Sequence, residues 1–363
     1  MSFLSSPKKV KDGFHVVILL RDTTIELSLL VVSGKKYSLV SKAVLAHRIT
    51  PENGFMSDEV TSFEKLLDGA FESLYKETRK KIGNAKIKIN GSRVILFYPW
   101  FNVEERNDIE IGKKDEIIHL STKFIEETLH NIIESPAIEK GSPVAEYTYK
   151  KTIVETFVHS ISLNGYTVPE PLGKKSKNIV IGVTTCTAAA GMLAILNKKT
   201  EFHTGSVAPI YTLPKLAAVY SDIRALNTPA LFIDIERENT SICSVGATTV
   251  THRSKFTNIG VDDILKMVMK KTGVTKDIAL SYMRLSDENL VTEDISLTVF
   301  NAIHEVMPLW ESAVNDAVSQ LDSNFPSKIL VCCEPELEKN FQKPGYKLLS
   351  VEKMVFDSVL NSV

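Results

Sequence analysis

Two acidic residues stand where apolar runs reverse direction: Asp22 in Leu20-Arg21-Asp22-Thr23-Thr24, and Asp234 in Leu231-Phe232-Ile233-Asp234-Ile235-Glu236-Arg237-Glu238. A carboxylate at a hairpin tip can hold a divalent cation or its waters. Asp before two threonines is also a common turn, and an acid ending a central strand can be capped by its own turn, so the structural account is preferred at both places. The remaining chemical inventory is thin. His15, His47, His119, His130, His159, His203, His252 and His304 form no metal-ligand spacing, and there is no G-x-S-x-G, no P-loop lysine and no G-x-G-x-x-G after a strand. Cys186, Cys243, Cys332 and Cys333 are too few for a disulfide scaffold and read as small buried residues.

The elements that must carry these acids follow from hydrophobic patterning. Val16 to Leu20, Ile25 to Val32 and Tyr37 to Ala46 read as an antiparallel meander, followed by a helix through Phe63, Leu67, Ala70, Phe71 and Leu74 that starts near Ser57. Arg79, Lys80 and Lys81 suit the negative end of its dipole better than a basic binding patch. Asn90-Gly91 between Ile87–Ile89 and Val94–Phe101 signals a hairpin, Ile117 to Ile133 a helix, and Thr152–Leu163 and Ile179–Thr185 two strands joined by a long rigid loop from Asn164 to Lys175. After helices at Ala188–Asn197 and Lys215–Arg224, with a strand near Gly205–Ile210 between them, the first pattern returns. Ala230–Ile235, Ser241–Val245 and Thr249–Lys255 read as three strands and Asp262–Lys271 as a helix. A long helix then runs through Pro308 to Leu321 and into the strand Ile329–Cys333.

The chain has 363 residues, 44% hydrophobic and 24% charged, with 43 Lys and Arg against 44 Asp and Glu. That describes a globular protein of two or three units, and a formal charge of -1 makes nucleic acid a poor default partner. No apolar run is long enough for a bilayer span, and the lysines at 8, 9 and 11 follow a short apolar patch, the reverse of a secretory signal. A cytoplasmic protein is expected.

Two similar α/β halves with a small module inserted in the first resemble the superfamily of actin, sugar kinases and heat-shock ATPases, and within it the cell-division protein family FtsA and the type IV pilus assembly family PilM. The matching segments are Phe157 through Gly165 to Gly173-Lys174, Leu231–Ile235, Asn258-Ile259-Gly260-Val261-Asp262-Asp263-Ile264, Glu305–Glu311, and Lys328–Cys333. The resemblance implies an actin-like two-lobed fold with a strand-helix-strand-strand module: first lobe 1–84 and 188–227, module 85–187, second lobe 228–363 with a helical subdomain at about 262–322. It also implies ATP held with Mg²⁺ by two glycine-rich turns, because backbone N–H groups must reach the phosphates without a side chain intervening.

This chain departs from that pattern at each contact. Glu236, Arg237 and Glu238 replace the three glycines after Asp234, the turn at Asp22 and Thr23 has no glycine, and Cys333-Glu334-Pro335 stands where small glycines admit the adenosine. Carboxylates a few ångströms from a phosphate cost about 4 kcal/mol each at an effective dielectric of 20. Arg237 alone offers a compensating charge. We therefore expect a pseudo-ATPase with no cofactor, a scaffold of the FtsA kind linking division proteins at the inner face of the membrane. The alternatives are a PilM-like component of pilus assembly and, from another class, an active actin-like ATPase that uses ATP and Mg²⁺ to polymerise. The resemblance puts partner docking, or self-association, on the module, where Tyr98, Trp100 and Phe101 are candidate anchors, although the same run would equally pack on the module's own helix. The C-terminal stretch Val351–Val363 lacks the basic face of a membrane-surface helix, so no direct membrane anchor is expected and any contact with the inner membrane would run through a partner.

Overall fold

A computed structural model describes residues 12–34, 36–49, 57–83, 87–111, 117–134, 151–168, 171–223, 230–245, 252–321, 328–333 and 346–360. The chain divides into two compact units, one of residues 1–225 with 248–252 and 356–363, the other of 226–247 with 253–355.

In the first unit, β1 (Gly13–Leu20), β2 (Thr24–Ser33) and β3 (Lys36–Ala46) form the meander, and α1 (Ser57–Ile82) follows. The next strand, β4 (Ile89–Leu96), pairs parallel to β1. Asn90-Gly91 is thus no hairpin. The register jumps there, with Phe14 opposite Ile89 and His15 opposite Gly91, so Asn90 is the extra residue of a bulge. A side chain at Gly91 would sit 3.1 Å from His15 Nδ1, which explains a glycine inside a strand. Val16 to Leu20 are at most 2% exposed, and Phe63, Leu67, Ala70, Phe71 and Leu74 of α1 are fully buried, so the helix stripe lies in the core as its spacing predicts.

A separate sheet begins at β5 (Asn102–Ile111), which the sequence reading leaves out because its residues are mostly polar. After β6 (Ile118–His119) and α2 (Thr122–Glu134) come β7 (Lys151–Leu163), β8 (Tyr166–Thr167), β9 (Lys175–Ser176) and β10 (Ile179–Ala189). The sheet order is β5-β10-β7-β8. β4 belongs to the first sheet, so a module beginning at 85 is corrected to one whose strands begin at Asn102. α2 starts later than its apolar pattern suggests because Ser121 accepts the N–H of Phe124 at 3.1 Å as a cap, while Ile118 pairs with Ser176. The expected rigid loop opens with a tight turn. Asn164 (φ 51) and Gly165 (φ 86) both lie in the left-handed region that a two-residue hairpin needs, and Leu163 pairs with Tyr166.

The unit continues through α3 (Ala190–Thr204), β11 (Ile210–Thr212) and α4 (Leu213–Ile223). The first sheet has the order β11-β4-β1-β2-β3. The second unit repeats it: β12 (Ala230–Ile235), β13 (Thr240–Val245), β14 (His252–Thr257), α5 (Val261–Thr272), α6 (Lys276–Asp287), α7 (Glu293–Leu321), β15 (Lys328–Cys332) and β16 (Tyr346–Leu348), after which α8 (Val351–Leu360) carries the chain into the first unit from Phe356 on. Its sheet order is β14-β13-β12-β15-β16, with β12 antiparallel to β13 and parallel to β15, as β1 is to β2 and β4. α6 goes unread in the sequence because only Ala279 and Met283 make its buried stripe, while Ile278 is 44% exposed. In α8, Met354, Val355, Phe356 and Asp357 are buried, with Tyr37 edge-on to Phe356 and its hydroxyl on Asp357, which accords with core packing of this stretch. Among the described residues no helix is long and apolar enough to cross a membrane.

A carboxylate of the module sheet reaches the first sheet. Glu155 of β7 accepts hydrogen bonds from the Thr212 amide at 3.1 Å and from the Thr212 hydroxyl, where β11 meets α4. Burial pushes this carboxyl up to about 7, against the opposing pull of Lys215 and of the two Thr212 hydrogen bonds. A folded-state value above the ordinary one means that this contribution to stability is complete below about pH 4 and is lost as the pH rises through 7. Chemical denaturation should show the chain losing on the order of 2 kcal/mol between pH 5 and pH 8 from this group. Glu155→Gln should remove that part of the pH dependence.

Candidate functional site

The two reversing turns singled out by their acids lie in different units, and each is built on its own support. In the first, Leu20 pairs with Ile25 and the Arg21 amide closes onto the Thr24 carbonyl at 2.9 Å. Asp22 is buried at 6% exposure and Thr23 is half-buried, its carbonyl taken by the His47 amide at 2.8 Å. The Arg21 guanidinium lies 5.1 Å from the centre of the Phe97 ring. Beneath the turn, Trp100 donates its indole N–H to the Arg21 carbonyl at 2.6 Å and meets His47 edge-on at 5.2 Å. His47 approaches the same carbonyl through Nε2 at 3.2 Å while its Nδ1 accepts the Ile49 amide. Those partners assign the proton to Nε2, and burial lowers the imidazole's pKa, so the ring is neutral at pH 7.

Trp100 and Phe101 are therefore corrected as surface anchors. They are 1% and 0% exposed, and Trp100 lies beneath the turn with its indole on the Arg21 carbonyl. Tyr98 is half-buried.

The second turn is the more constrained. Ile235 pairs with Thr240, and the Glu236 amide donates to the Asn239 carbonyl at 2.8 Å, closing the four residues Glu236, Arg237, Glu238 and Asn239. The carbonyls of Glu236 and Arg237 point at the start of α5, where they accept the amides of Val261 at 3.0 Å and Asp262 at 2.7 Å. A helix leaves its first N–H groups without partners of its own, and here the turn supplies them. Gly260 makes the approach feasible: a Cβ there would lie 2.5 Å from the Arg237 carbonyl oxygen, 2.6 Å from that of Glu236 and 2.7 Å from the Asn239 nitrogen. Asp263 reaches back to the Gly260 amide at 3.1 Å.

Charge and an indole complete the latch. Asp262 Oδ1 lies 3.8 Å from Arg237 Nη1 and its Oδ2 pairs with Lys276. Thr240 donates to the Ile259 carbonyl at 2.7 Å and accepts the indole N–H of Trp310 of α7 at 3.0 Å. Asp234 and Glu236 are buried at 1% and 3% exposure, while Glu238 is exposed. Asp234 is paired across the sheet with Cys332, and Cys333 is buried in the core of this unit. The structure thus gathers Asp234, Glu236, Arg237, Glu238 and Cys333 in one unit and leaves Asp22 and Thr23 on the other. Glu334 and Pro335 lie outside the described residues. Trp310 and Lys276 were missed. The signal for the indole was available, since the chain has two tryptophans and both fall at buried positions of apolar patterns. Among the described residues no group of three His, Cys, Asp or Glu is placed to hold a metal ion.

No protein-family model and no curated protein matches the chain. Solved structures do. The PilM-PilN type IV pilus biogenesis complex superposes with a TM-score of 0.50 at 11% identity, covering 98% of this chain and 97% of that one. The ethanolamine utilization protein EutJ from Carboxydothermus hydrogenoformans gives 0.47 at 8% identity, covering 98% and 91%, and a diol dehydratase-reactivating factor in nucleotide-free form gives 0.45 at 9%, covering 96% and 98%. The chain has the two-lobed α/β fold of the actin-like ATPases.

The latch makes a direct prediction. Gly260→Ala forces a methyl group onto three backbone atoms that cannot rotate away, and should destabilise the protein by roughly 1–3 kcal/mol. The measurement is the denaturation midpoint at unchanged m-value. Unaltered stability would mean that the turn does not rest on α5.

Proposed function

We propose that this actin-fold chain is a non-catalytic scaffold that acts by binding other proteins, in an assembly of the type IV pilus kind. The observation that carries the reading is the closed turn at Glu236–Asn239. Its residues do not fit a triphosphate with Mg²⁺. A phosphate cradle needs bare backbone, whereas here the carboxyl-bearing residue Glu236 is buried behind the turn, Glu238 stands at its tip, and the carbonyls of Glu236 and Arg237 are turned to α5. An uncompensated carboxylate beside a phosphate costs about 4 kcal/mol at a dielectric of 20, which converts to several hundredfold in affinity. Arg237 does not cancel that cost, because it faces Asp262.

The pilus-type setting is favoured over cell division on two grounds. The PilM-PilN complex aligns over nearly the whole of this chain, and its name pairs one such protein with a second in pilus biogenesis. The loop with Gly165 and Gly173, which by the sequence resemblance looks nearer to FtsA than to PilM, begins with an Asn-Gly hairpin whose glycine is explained by local geometry. In this reading the chain is a cytoplasmic component that reaches the membrane through its partner.

Equilibrium titration with a fluorescent ATP analogue, with and without Mg²⁺, should show no saturation below about 1 mM. Micromolar, Mg²⁺-dependent binding that disappears in Asp234→Ala would defeat the scaffold reading in favour of an active ATPase. A pull-down from the native cell should return pilus-assembly proteins, and recovery of division proteins instead would restore the FtsA-like role.

A further inference from the structure

The long helix α7 has a face that the turn at its Trp310 does not account for. Its inner side is core: Val299, Ala302, Val306, Met307, Trp310, Val314, Ala317, Val318 and Leu321 are buried. On the outer side Leu297 is 56% and Phe300 57% exposed, and His304 and Pro308 continue the line at exposed positions. The spacing i, i+3, i+7, i+11 keeps these four residues on one strip about 16 Å long. Phe300 and His304 pack ring to ring at 4.2 Å, so part of the strip is ordered by its own contacts. Scattered exposed apolar residues need no explanation, but three in register, with a ring-packed histidine between them, form a seam on one helix.

The charges that α7 itself carries have one sign. α7 contains Glu293, Asp294, Glu305, Glu311 and Asp316 and neither Lys nor Arg. By helical position Glu293 and Glu311 stand at the two ends of the seam, and Asp294 and Glu305 along one side. The chain already sets one cation against this face, with Lys271 Nζ 2.5 Å from Glu305.

We propose that this seam of α7 docks an amphipathic helical segment of a protein partner, one with apolar residues at heptad spacing and Lys or Arg flanking them. Charge decides among the possible occupants. A second copy of this chain would bring the four carboxylates around the seam against their own kind, which costs several kcal/mol when they are juxtaposed. An anionic lipid surface is repelled by the same residues. A basic helix meets apolar seam with apolar seam and each carboxylate with a cation, as at e and g positions of a coiled coil. The surface lies apart from the hairpin turn and stands whether or not nucleotide binds, so the titration above and the one below fail independently.

The test uses the full chain and two labelled peptides of about three heptads, both with Leu at a and d, one with Lys and one with Glu at e and g. Fluorescence anisotropy should show the Lys peptide binding, with affinity falling about tenfold in Phe300→Ala and falling again as salt is raised. The Glu peptide should not bind. Phe300 is exposed, so the variant should keep its fold, and unchanged circular dichroism and melting verify that. Equal binding of both peptides, absence of binding, or binding untouched by Leu297→Ser with Phe300→Ser overturns the proposal. A concentration-dependent dimer of the free chain that Phe300→Ala dissolves overturns it in favour of a second copy.

Discussion

The second half of this molecule is organised by one need, that the first amides of α5 find acceptors inside the protein. The carbonyls of Glu236 and Arg237 meet it. Several features follow from that contact. Residue 260 has to be glycine because backbone crowds it from three atoms. The turn is held in one shape, since its carbonyls are committed. Thr240, next in the chain, is positioned to bridge the Ile259 carbonyl and the Trp310 indole and so connects the sheet to α7. Because the latch is made through main-chain atoms, it places little demand on the side chains of the turn. Glu, Arg, Glu and Asn can therefore stand there with the fold intact, and Arg237 with Asp262 adds an ion pair on top. A backbone latch thus separates what the fold requires from what phosphate binding would require.

The first half reaches a similar end by other means. Its turn is supported by Trp100, which enters from the segment after β4, whereas Trp310 comes from a helix. The two sheets repeat one strand order, yet the indoles occupy positions that the repeat does not relate. Each is nearly fully buried and each spends its single donor on or beside a hairpin. In the first half His47, neutral through burial, shares the same carbonyl and fixes how β3 leaves the sheet.

The doubled meander was legible because both copies alternate apolar runs with tight polar joints, and α1 and α7 because their stripes persist over many turns. The positions of the two turns were legible too, since each apolar run ends in an acid followed by polar residues. What failed, failed for local reasons. Asn90-Gly91 has the composition of a hairpin, but a neighbouring parallel strand absorbed it as a bulge, a tertiary event that two residues do not report. β5 has seven polar residues among its ten and alternates only at Ile109 and Ile111, too short a run to announce a strand. Trp100 and Phe101 were weighed as surface because aromatic residues serve interfaces and cores alike, and only the neighbouring turn decides between them. The direction of the Glu236 and Arg237 carbonyls has no sequence signal beyond Gly260 standing before an acidic helix start.

Charge illustrates the same limit at larger scale. A net charge of -1 describes the chain and conceals a helix of 29 residues with five acids and no base. Part of that concentration has local causes. Glu293 and Asp294 sit in the first turn of α7, where the helix dipole favours anions, and Glu305 meets Lys271. Exposed carboxylates repel one another weakly in water, by about 1 kcal/mol at 4 Å, so the helix tolerates them. No such cause accounts for Leu297 and Phe300. Full burial of side chains of this kind is worth roughly 1.5–3 kcal/mol each, and the intramolecular packing of α7 leaves that unused while burying nine residues of the opposite face. Glu293, Asp294 and Glu305 have reasons to be where they are in the isolated chain, whereas the apolar seam beside them acquires one only when something covers it.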